Sequence, residues 1–135
     1  MLYFSYGMNT DPNQMDRFNA TPLGRAKLLH HSFHLSVHAD VRPDFNTVVD
    51  GVLWEIDDET LVDLDAREGY PHYYTRHLQT VEFDGKMVEA WCYSMLPEYH
   101  RLSEPSKGYL KMLYNGYSTF DVPTKQIDLA MAEFT

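Results

Sequence analysis

Tyr73-Tyr74-Thr75-Arg76-His77-Leu78-Gln79-Thr80-Val81-Glu82-Phe83-Asp84-Gly85-Lys86-Met87-Val88-Glu89-Ala90-Trp91-Cys92-Tyr93-Ser94-Met95 consists of two runs rich in β-branched and aromatic residues joined by Asp84-Gly85. Such side chains suit a pleated surface, and Asp-Gly supplies the positive φ angles that a two-residue hairpin turn demands. The stretch predicts an antiparallel pair, Tyr73 to Phe83 with Met87 to Met95. Upstream, Val48 to Ile56 carries Val49, Val52, Leu53, Trp54 and Ile56 and reads as a third strand. Leu29 to Val37 alternates, with Leu29, Phe33, Leu35 and Val37 on one face and His30, Ser32, His34, Ser36 and His38 on the other. Leu2 to Tyr6 reads as an opening strand that stops at Gly7.

Helices fall between and after these strands. Asp11-Pro12 is an N-cap and first helical position for a short helix through Met15 and Phe18, ending before Thr21-Pro22-Leu23-Gly24. Asp57 and Asp58 cap a helix that holds Leu61, Val62 and Leu64 and ends at Gly69. Ser106 caps a third, whose apolar face carries Tyr109, Leu110, Leu113 and Tyr114 and which reads as ending at Gly116. Pro123 opens a last amphipathic helix with Ile127, Met131 and Phe134 along one stripe. Strands and helices alternate without a regular βαβ rhythm, so the fold class is α+β with a mostly antiparallel sheet.

At 135 residues and 44% hydrophobic content the chain has the size of a single domain spanning 1-135, with enough apolar material for one core. Eleven basic and twenty acidic side chains give a formal charge of −9, which repels nucleic-acid phosphate and anionic lipid. No nucleic acid and no membrane are therefore expected as partners. The start, Met1-Leu2-Tyr3-Phe4-Ser5-Tyr6, has no basic n-region and reads as a strand and not as a signal peptide. Cys92 is the only cysteine, so no intrachain disulfide can form, and the expected location is cytoplasmic.

Three features could carry chemistry. The loop Tyr6-Gly7-Met8-Asn9 follows a strand directly, where successive backbone N–H groups can converge on an anion or a polarised carbonyl oxygen; the same glycine also suits an ordinary turn. In Asp65-Ala66-Arg67-Glu68-Gly69-Tyr70-Pro71, Glu68 sits at a helix C-terminus. The negative end of the dipole and aromatic neighbours would raise its pKa toward the range useful for proton transfer, whereas a solvated helix-end acid is the ordinary alternative. Tyr73, Tyr74 and Tyr109 supply hydroxyls for a pocket rim, or simply fill a core. His30, His34 and His38 would share a strand face, but neighbours in that row lie about 13 Å apart, too far to grip one ion. No metal is expected.

Taken in order, these segments resemble the γ-glutamylcyclotransferases and their AIG2-like relatives. Tyr3-Phe4-Ser5-Tyr6-Gly7-Met8-Asn9 is similar to that family's N-terminal Y-F-A-Y-G-S-N loop, and Leu64-Asp65-Ala66-Arg67-Glu68-Gly69-Tyr70 to its L-D-x-x-E-G segment. The likeness continues through Val52-Leu53-Trp54, Tyr74 and Pro105-Ser106-Lys107-Gly108-Tyr109, to about residue 123. The resemblance implies a small mixed β-barrel with short flanking helices, and a cavity whose proton-transfer residue is Glu68. It implies substrate contacts at Tyr3, Phe4, Ser5, Tyr6, Gly7, Met8, Asn9, Tyr74 and Tyr109. Met8 stands where the family has serine, which removes a hydroxyl but keeps the backbone N–H.

The activity so implied is intramolecular aminolysis of a small γ-glutamyl compound, releasing 5-oxoproline and a free amine or amino acid, with no cofactor. A γ-glutamylamine cyclotransferase and a non-catalytic small-molecule or protein-binding domain on the same fold are the alternatives. The leaving amine and the oligomeric state, with a homodimer left open, are not legible.

Overall fold

The computed structural model describes residues 1–135. Five strands, β1 (Leu2–Ser5), β2 (Ala20–Ser36), β3 (His38–Ile56), β4 (Tyr74–Phe83) and β5 (Lys86–Met95), close into a barrel in the order β1-β3-β2-β4-β5. Neighbours are antiparallel except at the seam, where β1 meets β5 in parallel with Tyr3 opposite Trp91. Four short helices flank it: α1 (Pro12–Met15), α2 (Asp58–Glu68), α3 (Lys107–Thr119) and α4 (Lys125–Ala132). This is the α+β, mixed and mostly antiparallel barrel that the sequence implied.

Local chemistry sets the turns. Asp84 and Gly85 have φ of 52° and 77°, the doubly positive pair of a tight hairpin, and Phe83 faces Lys86 across it. Asp57 caps α2 by accepting from Thr60 N–H at 2.8 Å, and Gly69 ends the helix at φ 68°. Ser106 caps α3 through Tyr109 N–H at 3.1 Å.

β2 and β3 are longer than expected. α1 ends before segment 21–24 as expected, though already at Met15, short of Phe18; segment 21–24 belongs to β2, and β2 and β3 form one hairpin that reverses at Val37, with Ser36 opposite His38. Register shifts at Pro22/Gly24 and Leu29/His31 break the two-residue period, and His30 adopts φ 58° at the second. The histidine row is corrected accordingly: His38 lies beyond the reversal, on β3. Gly116 does not end α3, which continues to Thr119; a side chain there would collide with Thr10, so the glycine marks a close helix-to-loop approach.

β3 pairs with β1 on one side and β2 on the other. Gly51, Val52, Leu53 and Trp54 are all buried, which fits packing on both faces. Phe120, just past α3, meets the Trp54 ring edge-on at 5.6 Å. The Gln126 amide of α4 pairs with both the N–H and the C=O of Asp50, each at 2.8 Å, as a strand neighbour would. α3 contributes the fully buried Leu113 and Tyr117, and α4 adds Ile127. No helix is long and apolar enough to cross a membrane.

Candidate functional site

β1 runs directly into a 3-10 turn, Met8–Thr10, whose shape is fixed by bonds to its own carbonyls: Thr10 N–H to Gly7 O at 3.0 Å, Thr10 Oγ1 to Gly7 O at 2.7 Å, and Asp11 N–H to Met8 O at 3.1 Å. A Cβ at Gly7 would crowd the Ala39 Cβ at 3.0 Å and the Tyr109 hydroxyl at 3.1 Å, so the glycine lets the turn pack closely against both. The turn forms one wall of a cavity of about 330 Å³ at the low end of the size range for small-molecule sites. Tyr3 through Asn9, Glu68, Tyr74 and Tyr109 all line it. So does Tyr73, one of the candidate rim hydroxyls, and so do His38, Ala39, Arg67, Tyr93 and Met112, which nothing in the local sequence pattern marks as cavity residues.

Glu68 is the last residue of α2, and that end of the helix is clamped from behind. Asp65 accepts from Arg76 at 2.7 and 3.1 Å in a bidentate pair and from the Tyr93 hydroxyl at 2.6 Å. Both partners come from the β4–β5 hairpin, so the barrel aims the helix end. Leu64, fully buried, anchors the same turn.

A short polar chain then reaches the carboxylate. The Arg67 guanidinium donates to Asn9 Oδ1 and to Gln14 O, both at 2.8 Å, and thereby orients the Asn9 amide. The amide nitrogen donates to Glu68 Oε1 at 3.0 Å and to the Tyr3 hydroxyl at 2.9 Å. Burial pushes the Glu68 carboxyl up to about 7, opposed by the Arg67 charge and the Asn9 hydrogen bond. Near neutral pH the group exists in both protonation states, as a group that takes and returns one proton requires.

The lining hydroxyls divide into two kinds. Those of Tyr6 and Tyr74 donate to Tyr93 O and Ala39 O, each at 2.6 Å, and hold the walls together. The Tyr109 hydroxyl accepts from Ala39 N–H at 2.8 Å and the Tyr3 hydroxyl from Asn9; neither donates its own proton within the protein. Phe4 is fully buried, and the Ser5 hydroxyl is engaged by Trp54 Nε1 at 2.9 Å, so these two shape the wall. No cluster of three or more His, Cys, Asp or Glu side chains is placed to hold a metal.

Residues 3–112 match the family model described as γ-glutamyl cyclotransferase, AIG2-like. The chain belongs to this family. A 44-residue stretch is 43% identical to the protein named "Putative gamma-glutamylcyclotransferase" of Methanocaldococcus jannaschii. That alignment covers 32% of this chain and 37% of the relative, so the likeness spans little more than a third of that relative's length. Among solved structures, one named γ-glutamyl cyclotransferase superposes with a TM-score of 0.80 over 96% of this chain and 85% of its own, at 22% identity. An uncharacterized Homo sapiens protein does so with a TM-score of 0.78 over 95% and 85%, at 24% identity. At such identities these structures establish the AIG2-like barrel and nothing finer.

Proposed function

We propose that this protein is a γ-glutamylcyclotransferase-type enzyme in which Glu68 moves the proton while a γ-glutamyl group closes onto its own α-amine. The observation that carries the reading is a carboxyl desolvated to a pKa near 7 on the wall of a cavity sized for a small ligand. Ionised Glu68 takes a proton from the substrate's α-ammonium, and the freed amine attacks the γ-carbonyl carbon. The C–N bond of the five-membered ring forms and the carbonyl π pair moves to oxygen. The Gly7 backbone N–H and the unshared proton of the Tyr109 hydroxyl, whose oxygen accepts from the Ala39 and Met8 N–H groups, stabilise that oxyanion. Glu68 returns its proton to the leaving nitrogen and takes the remaining extra proton from the ring nitrogen; the bond between the γ-carbon and the leaving nitrogen then breaks, and the released amine or amino acid takes up that second proton, leaving 5-oxoproline and ionised Glu68. Water is not consumed.

Attack within one molecule leaves the protein mainly to hold a folded-back conformer, an arrangement that contributes on the order of 7–11 kcal/mol in well-oriented reactions. Walls cross-braced by tyrosine hydroxyls suit that task. In this reading residues 1–135 act as one domain, in the cytoplasm, where a buried unpaired Cys92 is at home.

The test is incubation of the purified protein with γ-glutamyl amino acids, γ-glutamyl amines and glutathione, followed by mass spectrometry for 5-oxoproline. Glu68-dependent product is the expected result. Binding without product from any of them would favour a non-catalytic ligand-binding domain, and product from the amines alone a γ-glutamylamine cyclotransferase.

A further inference from the structure

His38 is the one imidazole in the cavity wall, and the Glu68 mechanism makes no use of it. The reversal at Val37, with φ 66°, sets it at the first position of β3. Its ring meets Tyr109 edge-on at 5.1 Å and Tyr73 at 5.9 Å, and its Nδ1 lies 2.9 Å from the Tyr73 hydroxyl. Tyr73 is itself braced by the rings of Tyr74 at 4.9 Å and Tyr99 at 4.8 Å. The imidazole plane is therefore fixed, with Nδ1 occupied. Nε2 pairs with nothing in the protein, and since no side-chain nitrogen or oxygen is buried without a partner, Nε2 is accessible.

Either partner of the Nδ1–Tyr73 contact can donate; with the phenol as donor, the polarity the inference requires, the ring proton lies on Nε2 and that atom is a hydrogen-bond donor. The other charged side chains of the wall are Arg67, already committed to Asn9 and Gln14, and Glu68. Burial first, and then the charge of Arg101, hold His38 below the usual histidine pKa, so near neutral pH it donates as an uncharged ring. Arg101 is exposed and forms no salt bridge, so its positive potential at this end is not cancelled by a paired carboxylate.

We infer that His38, held by Tyr73, is a substrate-binding residue that offers Nε2–H to a carboxylate of the bound γ-glutamyl compound. The ligand's identity rests on the cyclotransferase reading. That carboxylate belongs either to the glutamyl head or to a leaving amino acid, and two substrates separate the sources. γ-Glutamylalanine carries both, whereas γ-glutamylethylamine lacks only the second.

His38→Phe keeps ring packing and removes the donor. It should raise KM about ten- to a hundredfold with kcat little changed, and His38→Gln, which restores an N–H, should recover part of the loss. An effect on both substrates assigns the head carboxylate; an effect on γ-glutamylalanine alone assigns the leaving group. The ¹⁵N resonance of His38 Nε2 in the Glu68→Gln protein, titrated with each compound, needs no change at His38 and should move with the same selectivity. An Nε2 resonance unmoved by ligands that bind, or an unchanged KM in folded His38→Phe, overturns the inference while turnover keeps the cyclotransferase reading. Binding that shifts Nε2 in a protein releasing no 5-oxoproline does the reverse. Absence of binding by either compound overturns both.

Discussion

Two opposing influences meet on the Glu68 carboxyl. Burial raises its pKa from 4.5 to about 7, while Arg67 and the Asn9 amide limit the rise. The unfolded chain releases this proton near 4.5 and the folded chain near 7, so between those values the folded state binds more protons. Stability therefore falls as pH rises through that window, by at most about 3 kcal/mol from this group. Denaturant unfolding at pH 5 and pH 8 should show Glu68→Gln gaining on the wild type at the higher pH; a pH-independent difference would mean that the carboxyl is solvated. Tyr109 behaves differently from a simple ligand contact, because its hydroxyl also accepts from the buried Ala39 N–H. Tyr109→Phe should cost about 1–3 kcal/mol of stability as well as raising KM, since it orphans that donor. Equilibrium unfolding and steady-state kinetics on one preparation would detect both effects.

The sequence announced its elements wherever the signal is local. Asp57, Ser106, Asp11-Pro12 and Asp84-Gly85 each act on backbone groups two or three residues away, and each cap or turn lies where those residues place it. β2 and β3 were only half legible. Pro22 and Pro43 fall inside them, most of Arg42–Val48 is exposed or only half-buried, and register shifts upset the alternation that marks a strand. Gly116 was misleading because its reason is tertiary: a Cβ would sit 2.1 Å from Thr10 Oγ1, 2.5 Å from Thr10 C and 2.6 Å from Asp11 N. Two of those are backbone atoms and cannot swing aside. Gly116→Ala should destabilise by about 1–3 kcal/mol or more through overpacking, and it would displace the turn that follows Gly7. A thermal unfolding midpoint equal to the wild type's would contradict this packing.

Over the whole molecule, the cavity is a consequence of barrel closure. The seam of β1 against β5 joins residues 88 positions apart, a pairing that no local periodicity encodes. Glu68 and the opening loop were legible because family-like motifs carry them, and Tyr73 as one of a set of candidate rim hydroxyls, whereas His38, Tyr93 and Met112 reach the cavity only through the way the strands close and α3 packs. The Asp65 clamp on the β4–β5 hairpin is of the same kind, since it links the aim of the helix end to the barrel itself. The central claim is that this assembly leaves one carboxylate sheltered and ionisable beside a bound γ-glutamyl group. The direct test is the pH dependence of 5-oxoproline release by the wild type and by Glu68→Gln. The account predicts a wild-type kcat/KM that climbs with pH to a plateau above about 7, and a folded Glu68→Gln protein that loses most of the activity across the range. Wild-type turnover in that folded variant would contradict it.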